Sequence, residues 1–487
     1  MVRLDKLLNN IKVKKVIGEK NKVKIKHLSD NSKLVKNQSL FVAINGIKVN
    51  AIEFANEAIE NGAVALVVEE PIKTIKPIVQ IVVEDARLTF SLIARNFYSS
   101  VVKDLKIISI VGTNGKTTTS HIIKNILQKS KIKVGVIGTN GIFINNNKIH
   151  SNLTTPDTLH LYKILEKMHK QNVQIVVMEV SAHAIKLKKT VGLKSSVAVF
   201  TNFSSEHLDF FNSIEDYKNT KMSYFTNDFC KMAVINADDE VGQQILSKNK
   251  VKCLTYGIQN PSDIFCINLK MNLNGSNFVL NLNDSVNNIN LNLPAKFNIY
   301  NALAAASACF VVGLDADSIV KGLNSFHKVD GRFNTINVGK NNIVIDYAHT
   351  PKAMLNIINT VKKLSKNKII CVFGCPGSRD QFKRSQTGKI AGELCDYVIV
   401  TTDNPDIENP LKIFDQIENG LKLTSCTYEI IEDRKLAIMR AFQIKKSMKN
   451  ANILVLGKGC EQYQIINNIN SPYNDEQEVF KQTKNNN

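Results

Sequence analysis

A glycine-rich segment between an apolar run and a helical pattern carries the clearest chemical signal in the chain. It reads Gly112-Thr113-Asn114-Gly115-Lys116-Thr117-Thr118 and follows the β-branched run 107–111. Glycines let backbone N–H groups approach a phosphate, the helix start adds positive potential, and the lysine and threonine can reach phosphate oxygens and Mg²⁺. We predict a phosphate-binding loop, although Ile110 stands where the full motif has glycine. The alternative is a tight turn with a solvated lysine.

Two more polar groups follow later apolar runs. Glu179 ends the run 175–180, at the sheet edge where open α/β folds bind ligands. It is a candidate Mg²⁺ ligand, and the alternative is a strand-end acid paired with a lysine. His207 follows the run 197–201 and could bind metal or lie at a helix start capped by Ser204 or Ser205.

These groups require a scaffold in which several strands end at one edge. Helical patterns separate the apolar runs from 107 to 201, which is typical of a largely parallel, doubly wound sheet. A smaller α/β pattern precedes them, and alternating strands and helices from 343 onwards indicate a Rossmann-like domain. The α/β protein is therefore predicted to have three domains, at 1–105, 106–331 and 332–487.

Residues 263–293 break the alternation of strands and helices. Apolar side chains recur there with period two on both sides of Asn274-Gly275, a frequent turn pair in hairpins. The pattern predicts an inserted antiparallel ribbon.

Composition indicates a globular chain and leaves its excess charge open. Of 487 residues, 44% are hydrophobic and 22% charged, which argues against disorder and coiled coil. Nine scattered cysteines without a CxxC pair favour reduced thiols, and the lack of a signal-peptide or membrane-spanning pattern favours a cytoplasmic protein. The net charge of +20 fits nucleic acid, an anionic membrane or anionic small molecules.

Ten short segments occur in the order seen in the Mur ligases, and the chain resembles that family almost from end to end. It is most similar to the type that extends UDP-N-acetylmuramoyl-L-alanyl-D-glutamate in peptidoglycan precursor synthesis. The segments are Gly112-Thr-Asn-Gly-Lys-Thr117, Met178-Glu-Val-Ser-Ala-His183, Thr201-Asn-Phe-Ser-Ser-Glu-His-Leu-Asp209, Asn236-Ala-Asp-Asp239, Phe297-Asn-Ile-Tyr-Asn301, Gly331-Arg332, Asp346-Tyr-Ala-His-Thr-Pro351, Gly374-Cys-Pro-Gly-Ser-Arg-Asp380, Asp403-Asn-Pro405 and Gly457-Lys-Gly-Cys-Glu461. Each segment alone is weak evidence, whereas their shared order is specific.

The resemblance implies that the first domain binds the uridine of a UDP-sugar dipeptide. Ser32 matches a uracil contact, and Thr154, Thr155 and Ser181 match contacts to the rest of that substrate. Lys189 stands where the family usually has arginine. Because lysine presents a point charge and arginine a planar fork, the resemblance implies a looser anchor.

An ATP site in the central domain is also implied. Residues 112–118 would hold the phosphates, and the implied ligands of two Mg²⁺ ions are Thr117, Glu179, His207 and Lys221, the last carbamylated to N6-carboxylysine. Further nucleotide contacts are matched by Asn298, Arg332, Asp346 and His349, so ATP would lie at a domain junction. The implied catalytic residues are Lys116, Lys221, His207 and Asp346.

The implied reaction joins a diamino acid to the dipeptide at the expense of ATP. The γ-phosphoryl group moves to the D-glutamyl carboxylate, with Lys116 and Mg²⁺ spreading the transferred charge. The deprotonated amine then attacks the acyl phosphate through a tetrahedral intermediate. The expected partners are these three small molecules, without nucleic acid, and the chain is expected to be a monomer.

The third domain would bind the incoming amino acid. The matching positions are Arg379, Asn404, Asp406, Gly457 and Glu461. Asp406 is the informative departure, because family members that add meso-diaminopimelate usually have an arginine there that pairs with the distal carboxylate. At about 4 Å and an effective dielectric of ~20, replacing attraction by repulsion is worth several kcal/mol before screening.

The charge of Asp406 therefore favours L-lysine or L-ornithine as the added amino acid. Three alternatives stay open. The segment Gly457-Lys-Gly-Cys-Glu461 resembles diaminopimelate enzymes, a replacement cation could come from Lys383, Arg384 or Lys412, and Asp406 could simply cap the following helix.

Further departures from the family pattern raise the possibility of an inactive, binding or scaffold relative. They are Asn50-Ala51, Lys189, Glu206, Pro376, Ser378 and Cys460. Retention of Lys116, Glu179 and Lys221 argues against lost activity, because a site is recognised by its mutually consistent parts. A basic nucleic-acid-binding ATPase is a third alternative, and no nucleic-acid-binding motif supports it.

Overall fold

The structure is a computed structural model that describes residues 1–46, 51–204, 210–248, 250–339, 341–378, 381–448 and 450–485. It divides into two compact units. The first comprises Met1–Phe265, Asn281–Ser285 and Tyr300–Gly322, and the second comprises Cys266–Leu280, Val286–Ile299 and Leu323–Asn487. Among the described residues, no helix combines the length and apolar character needed to cross a membrane.

A small α/β sheet forms the N-terminal part of the first unit. Its five strands are β2 (Lys15–Ile17), β4 (His27–Ser29), β5 (Ser39–Val42), β6 (Ala63–Val68) and β7 (Val79–Val82), and β1 (Val2–Arg3) pairs with β3 (Lys24–Ile25) in a separate two-stranded sheet. Its helices are α1 (Leu4–Leu7), α2 (Ala55–Glu60), α3 (Ala86–Phe97) and α4 (Ser99–Asp104). The strand order is β2-β7-β6-β5-β4, and β4 to β7 are parallel, which fits the apolar residues on both faces of β5 and β6.

A larger sheet follows in the chain. Its strands are β8 (Lys106–Val111), β9 (Val134–Gly138), β10 (Gly141–Ile144), β11 (Asn147–Ile149), β12 (Ile175–Val180), β13 (Val197–Phe200), β14 (Met232–Asn236), β15 (Lys252–Gly257), β16 (Ile264–Asn272), β17 (Gly275–Leu282) and β18 (Ser285–Leu291). The helices of this part are α5 (Lys116–Lys129), α6 (Thr158–Lys170), α7 (Ala182–Lys186), α8 (Ile214–Met222), α9 (Glu240–Lys248), α10 (Lys296–Val311) and α11 (Ala316–Asn324).

The first strand of this sheet, β8, lies in its middle. Strands β9, β12, β8, β13, β14 and β15 are parallel neighbours in that order, so the winding reverses at β8. The loops after β8, β12 and β13 therefore meet at one edge, at the kind of switch point where α/β sheets bind ligands. This confirms the predicted doubly wound sheet.

Two additions extend the parallel strands. Strands β10 and β11 form an antiparallel hairpin on β9, which we had not predicted because its asparagine- and lysine-rich turn reads as a loop. In the ribbon, β17 lies between β16 and β18, and only two residues separate the end of β16 from Gly275, where β17 begins. The hairpin predicted at Asn274-Gly275 is confirmed.

The second unit contains a separate, mostly parallel sheet. Its strands are β19 (Asn334–Val338), β20 (Asn341–Asp346), β21 (Lys368–Phe373), β22 (Tyr397–Val400), β23 (Thr427–Ile430) and β24 (Ala451–Leu456), followed by the hairpin β25 (Tyr463–Ile466) and β26 (Ile469–Pro472). Its helices are α12 (Pro351–Leu364), α13 (Phe382–Leu394), α14 (Pro410–Leu421), α15 (Arg434–Ser447) and α16 (Asp475–Asn485). The order β19-β20-β24-β21-β22-β23, with apolar cores on both faces, confirms the Rossmann-like prediction.

A buried ion pair attaches the C-terminal helix to this sheet. Arg434, at the start of α15, donates from Nε and Nη2 to the two carboxylate oxygens of Asp475 at 2.8 and 2.9 Å, and from Nη2 to Leu456 O at 2.8 Å. Both side chains are 0% exposed. Because both charges are buried away from water, removal of either partner would leave an uncompensated buried charge and would strongly destabilise the fold.

We predict that Asp475→Asn destabilises the second unit by about 3 kcal/mol, because the Arg434 guanidinium keeps its burial and loses its anion. The matched control is Glu429→Gln, which breaks a half-exposed pair with Arg440 and should cost less than about 1 kcal/mol. Urea denaturation of the three proteins measures both. Equal losses of unfolding free energy in the two variants would show that the buried pair contributes no more to stability than the exposed one.

Candidate functional site

The loop between β8 and α5 approaches its neighbours so closely that two positions require glycine. A Cβ on Gly112 would lie 1.9 Å from Thr201 Oγ1. Gly115 has a φ of +85°, and its Cβ would lie 2.3 Å from Asn301 Oδ1. Since Gly115 is also the N-cap of α5, the loop places free helix N–H groups at the sheet edge, as a phosphate site requires.

The segment after β13 holds this loop in place. Thr113 N donates to Asn202 O at 2.8 Å, and Asn114 N donates to Asn202 Oδ1 at 2.9 Å. In return, Ser204 N donates to Thr113 Oγ1 at 3.0 Å. These roles of Asn202 and Ser204 could not be predicted, because contacts between two loops follow no residue spacing.

Two lysine ammonium groups converge on one carbonyl oxygen of the loop. Lys116 Nζ donates to Gly112 O at 2.9 Å and to Thr113 O at 2.8 Å, and Lys221 Nζ donates to Gly112 O at 2.7 Å. Lys221 extends from α8, is 1% exposed and lies 4.6 Å from the ring centre of Tyr217. The predicted phosphate lysine and the predicted carbamylated lysine thus lie side by side.

Glu179 is a carboxylate buried at the end of β12, 1% exposed. Thr117 Oγ1 donates to its Oε2 at 2.9 Å, and Thr139 donates from N at 3.2 Å and from Oγ1 at 3.1 Å. Ser120 Oγ lies 3.4 Å from Oε1. The donors come from α5 and from the end of β9, so Glu179 joins three elements. Thr139 and Ser120 were missed from sequence.

The predicted metal ligands are only partly brought together. Thr117 and Glu179 are in contact, as a hydroxyl and a carboxylate that suit Mg²⁺. His207 lies outside the described residues, and within the described ranges no group of three His, Cys, Asp or Glu side chains could hold a metal ion. The oxygen donors present fit a Mg²⁺ that completes its shell with water and phosphate oxygens.

Predicted substrate residues line the same edge of the sheet. Thr155 Oγ1 donates to Glu179 O at 2.9 Å and accepts from Ser181 N at 3.0 Å, and Thr154 Oγ1 lies 3.0 Å from Thr139 Oγ1. A network of hydroxyls thus runs from the Glu179 carboxylate to the start of α7. Sugar and peptide groups could bind to such a surface through hydrogen bonds.

The segment that carries the neighbouring cation, Lys189, is held by α3 through the preceding residue. The preceding residue, Lys188, has a left-handed φ of +55°, and its carbonyl accepts from Ser91 Oγ at 2.7 Å. Lys188 Nζ also forms an ion pair with Asp85, the N-cap of α3. Lys189 itself is 11% exposed in its side chain and pairs with Asp157 at 2.7 Å.

Ser32 and Thr118, two more predicted binding residues, are buried. The Ser32 hydroxyl donates to Glu57 at the N-terminal sheet, and Thr118 lies in the first turn of α5. In the second unit, Asn298 is buried and donates from Nδ2 to Pro294 O at 2.7 Å. None of these contacts tests the predicted ligand roles.

Asp346 ends β20 and organises the predicted nucleotide residues of the second unit. Its carboxylate accepts from Phe333 N at 2.7 Å and Ala348 N at 2.8 Å, and burial raises its pKa although the neighbouring Arg332 acts against this. Arg332 lies over the Tyr347 ring at 5.0 Å, and His349 Nδ1 lies 2.8 Å from Tyr347 O.

A polar cluster at the ends of β22 and β24 contains three of the predicted amino-acid contacts. Lys458 Nζ donates to Asn404 Oδ1 at 2.8 Å and to Glu461 Oε2 at 2.7 Å, and Asn404 Nδ2 donates to Glu461 Oε2 at 2.8 Å. Gly457 has a φ of +114°, and its Cβ would lie 2.4 Å from Asp403 Oδ2. We assigned no role to Lys458, which is fully buried and supplies the positive charge of the cluster. Arg379 lies outside the described residues.

Asp406 is placed by its backbone. It has a left-handed φ of +58°, its N donates to Ile465 O at 3.1 Å, and its carbonyl accepts from Asn467 N at 2.6 Å. The alternative that Asp406 caps the following helix is wrong, because the N-cap of α14 is Asn409, whose Oδ1 accepts from Leu411 N at 2.9 Å. The side chain is half-buried beside the β25 hairpin.

Arg384 cannot act as the replacement cation considered from sequence. It is buried, and its two Nη atoms donate to the carboxylate of Glu408 at 2.7 and 2.8 Å and to Gln416 and Pro376 O. Ser378 N also donates to Glu408 at 3.0 Å. The Arg384 pair lowers the pKa of Glu408 to about 2 and fastens the loop after β21 to the loop after β22.

Comparisons with known proteins identify the family to which the chain is similar. Residues 110–309 match the family model described as the Mur ligase middle domain, and residues 331–459 match the Mur ligase, glutamate ligase domain. The UDP-N-acetylmuramoyl-L-alanyl-D-glutamate–2,6-diaminopimelate ligase of Alkaliphilus oremlandii is 37% identical over 96% of this chain and 95% of its own. The protein of that name from Caldanaerobacter subterraneus subsp. tengcongensis is 39% identical over 99% and 98%.

Solved structures show the same similarity. A structure of a ligase with that name superposes with a TM-score of 0.74, at 29% identity over 100% of this chain and 99% of its own. MurF ligase from Thermotoga maritima in complex with ADP shares the fold, with a TM-score of 0.59 at 20% identity over 94% and 97%.

We predict that Gly115→Ala lowers the affinity for ATP by about tenfold, because the new Cβ must displace Asn301 Oδ1 from the loop. Gly313→Ala is the matched control, since Gly313 also has a positive φ, +103°, but nothing lies within 4 Å of its Cβ. Both variants should lose similar stability from backbone strain, about 1–2 kcal/mol. Calorimetric titration with ATP separates them, and equal affinities would refute the close-approach argument.

We predict that the stability advantage of the wild type over Glu408→Gln is present in full above about pH 4.5 and is lost as the pH falls towards 2. The pKa of Glu408 is lowered in the folded state, so its carboxylate stabilises the fold only while it is ionised. Urea denaturation from pH 7 to pH 2.5 measures the difference. Glu393→Gln, which removes a surface carboxylate 3.7 Å from Lys389 on α13, serves as control, and its difference should stay small throughout.

Proposed function

Because the chain belongs to the Mur ligase family and is therefore an ATP-dependent ligase that forms a peptide bond, we propose that it joins 2,6-diaminopimelate to UDP-N-acetylmuramoyl-L-alanyl-D-glutamate. The observation that carries the proposal is the edge of the central sheet, where a phosphate loop, a buried carboxylate and a row of hydroxyls meet. The relatives matched over nearly the whole chain carry this substrate pair in their names.

The phosphate loop would hold the ATP phosphates through its N–H groups and Lys116. Thr117 and Glu179 would hold Mg²⁺, with His207 as a further ligand. Bound Mg²⁺ supplies a positive charge that neutralises phosphate oxygens during phosphoryl transfer. The short contact between Thr117 and Glu179 supports this assignment, because both oxygens already point to one place.

Lys221 is proposed to carry a carbamate. Its ammonium is buried and shares the Gly112 carbonyl with the Lys116 ammonium, so two like charges lie close together at low solvent exposure. The neutral amine is the form that reacts with CO₂, and the reaction would remove one of the two adjacent positive charges. The carbamate would replace repulsion by attraction to Lys116 and offer oxygen atoms to a second Mg²⁺.

The UDP-sugar dipeptide is proposed to bind to Ser32 of the N-terminal part and along Thr154, Thr155, Ser181 and Lys189 of the central part. Lys189 would anchor an anionic group of this substrate. Phosphoryl transfer from ATP activates the D-glutamyl carboxylate, a poor acyl donor, and the amine of the incoming amino acid then displaces phosphate. Lys116 would stabilise the charge transferred in the first step.

The third amino acid is proposed to bind at the polar cluster of Asn404, Lys458 and Glu461. The distal centre of 2,6-diaminopimelate carries an ammonium and a carboxylate, so it needs an acceptor and donors close together. Glu461 would supply the acceptor and Asn404 a donor, while the buried Lys458 holds both side chains in place. Arg379, Gly457 and Asp406 would line the same site.

The acidic side chain of Asp406 supports a second candidate, L-lysine or L-ornithine. Our sequence prediction of these amino acids finds no support among the matched relatives, whose names give 2,6-diaminopimelate. Its premise, that residue 406 contacts the distal group, also gains no support from the structure. The backbone bonds of Asp406 go to the β25 hairpin, and its side chain is half-buried.

We predict ATP-dependent phosphate release with UDP-N-acetylmuramoyl-L-alanyl-D-glutamate and meso-diaminopimelate, at a rate at least tenfold above that with L-lysine or L-ornithine at equal concentration. The tenfold threshold corresponds to about 1.4 kcal/mol of discrimination in the transition state. A preference for L-lysine would overturn the proposed amino acid. Absence of release with any of the three would overturn the proposed ligase activity.

Asp406→Asn tests the role of this residue without added bulk, because asparagine tolerates a positive φ. If the carboxylate faces the distal carboxylate of the substrate, KM for meso-diaminopimelate falls and KM for L-lysine rises in the variant. Unchanged values for both would place the side chain outside the pocket.

A further inference from the structure

The proposed anchor for the UDP-sugar dipeptide already holds an anion of the protein itself. Lys189 Nζ lies 2.7 Å from Asp157 Oδ1, in the segment Thr154-Thr155-Pro156-Asp157 that enters α6. The lysine side chain is 11% exposed and the aspartate 66% exposed. An anion arriving from solvent therefore meets Asp157 before it meets the ammonium.

Asp157 keeps this pair instead of capping its helix. It is the N-cap of α6 and has the extended conformation of a cap, yet no N–H of the described first turn donates to its side chain. In the same chain, the N-cap aspartates Asp85 and Asp433 both accept from the helix they precede. A vacant cap site thus lies beside the Asp157 carboxylate and could receive it after a change of side-chain rotamer.

The backbone that carries the lysine, in contrast, is fixed in position. The carbonyl of Lys188 is bound by Ser91 Oγ, the Lys188 ammonium is paired with Asp85, and Lys189 N donates to Ala184 O at 2.9 Å. The Lys189 side chain is also largely buried, at 11% exposed, whereas that of Asp157 is 66% exposed, so the aspartate is the partner with room to move.

We propose that Asp157 is an internal placeholder on Lys189, which an anionic group of the UDP-sugar dipeptide displaces when it binds. The inference rests on the proposed substrate. A lysine ammonium is a single point charge without the forked donors of an arginine. A substrate anion and Asp157 would therefore repel each other if both stayed next to Lys189. Displacement lets Asp157 cap α6 and lets Lys189 keep an anion in both states.

Asp157 then lowers substrate affinity while it keeps the anchor in place. We expect Asp157→Asn, which can still cap but carries no charge, to bind UDP-N-acetylmuramoyl-L-alanyl-D-glutamate about two- to fivefold more tightly than the wild type, the range for an ion pair with an exposed partner. The affinity of the variant should also fall more steeply with added salt. In the wild type, salt weakens both the Asp157–Lys189 pair that is broken and the substrate–Lys189 pair that forms, so the two effects partly cancel.

Calorimetric titration of the full chain with this ligand measures Kd without turnover, so it stands apart from the ligase assay. Glu166→Gln is the matched control, because it breaks an exposed pair with Lys170 on the same helix α6 and should leave Kd unchanged. A second ligand, UDP-N-acetylglucosamine, carries the phosphates without a carboxylate. Tighter binding of both ligands to Asp157→Asn assigns the displacing anion to a phosphate, and tighter binding of the first alone assigns it to a carboxylate.

Equal or weaker binding of the dipeptide ligand by Asp157→Asn overturns the placeholder, whatever the turnover of the wild type. A wild type that binds the ligand but releases no phosphate overturns the ligase activity alone. Hydrogen exchange supplies a second measurement on the wild type. Exchange in the first turn of α6 should slow on binding, and it should slow less in Asp157→Ala. The same slowing in both overturns the return of Asp157 to the cap.

Discussion

A buried negative charge, the carboxylate of Glu179, is the constraint on which the central site depends. Such a group is costly unless hydrogen-bond donors surround it, and here they come from the first turn of α5 and from the end of β9. Because the carboxylate needs these donors, it holds the Thr117 hydroxyl and the neighbouring strand end in position around it. The same arrangement leaves carboxylate and hydroxyl oxygens together, which is what a hard cation needs.

Much of this site could be predicted from the sequence because strand ends carry local signals. The β-branched run before Gly112 and the glycines themselves identified the loop, and the position of Glu179 at the end of an apolar run identified its edge. Contacts between separate loops left no such signal. Asn202 holds the loop only because β13 lies next to β8, and that neighbourhood is a property of the winding.

The charge of a side chain is a weaker guide to specificity where the backbone determines the position of that side chain. The contrast between Asp406 and the family arginine led to L-lysine or L-ornithine, on the assumption that equivalent positions point to equivalent places. The structure holds Asp406 at a positive φ against the β25 hairpin, which the sequence around residue 406 does not reveal. Arg384 was likewise considered as a replacement cation, whereas Glu408, on the neighbouring loop, accepts from both of its Nη atoms.

The lysine hydrogen bonds at the proposed phosphate loop have a consequence for selectivity between anions of different charge. Lys116 and Lys221 already donate to carbonyl oxygens, so a ligand gains only the excess of its own bonds over theirs. A lone orthophosphate ion offers few oxygens for this exchange, whereas a triphosphate offers many at once to the ammonium groups and the N–H groups of α5. At the proposed ATP site, the loop would therefore admit a triphosphate more readily than a lone phosphate ion.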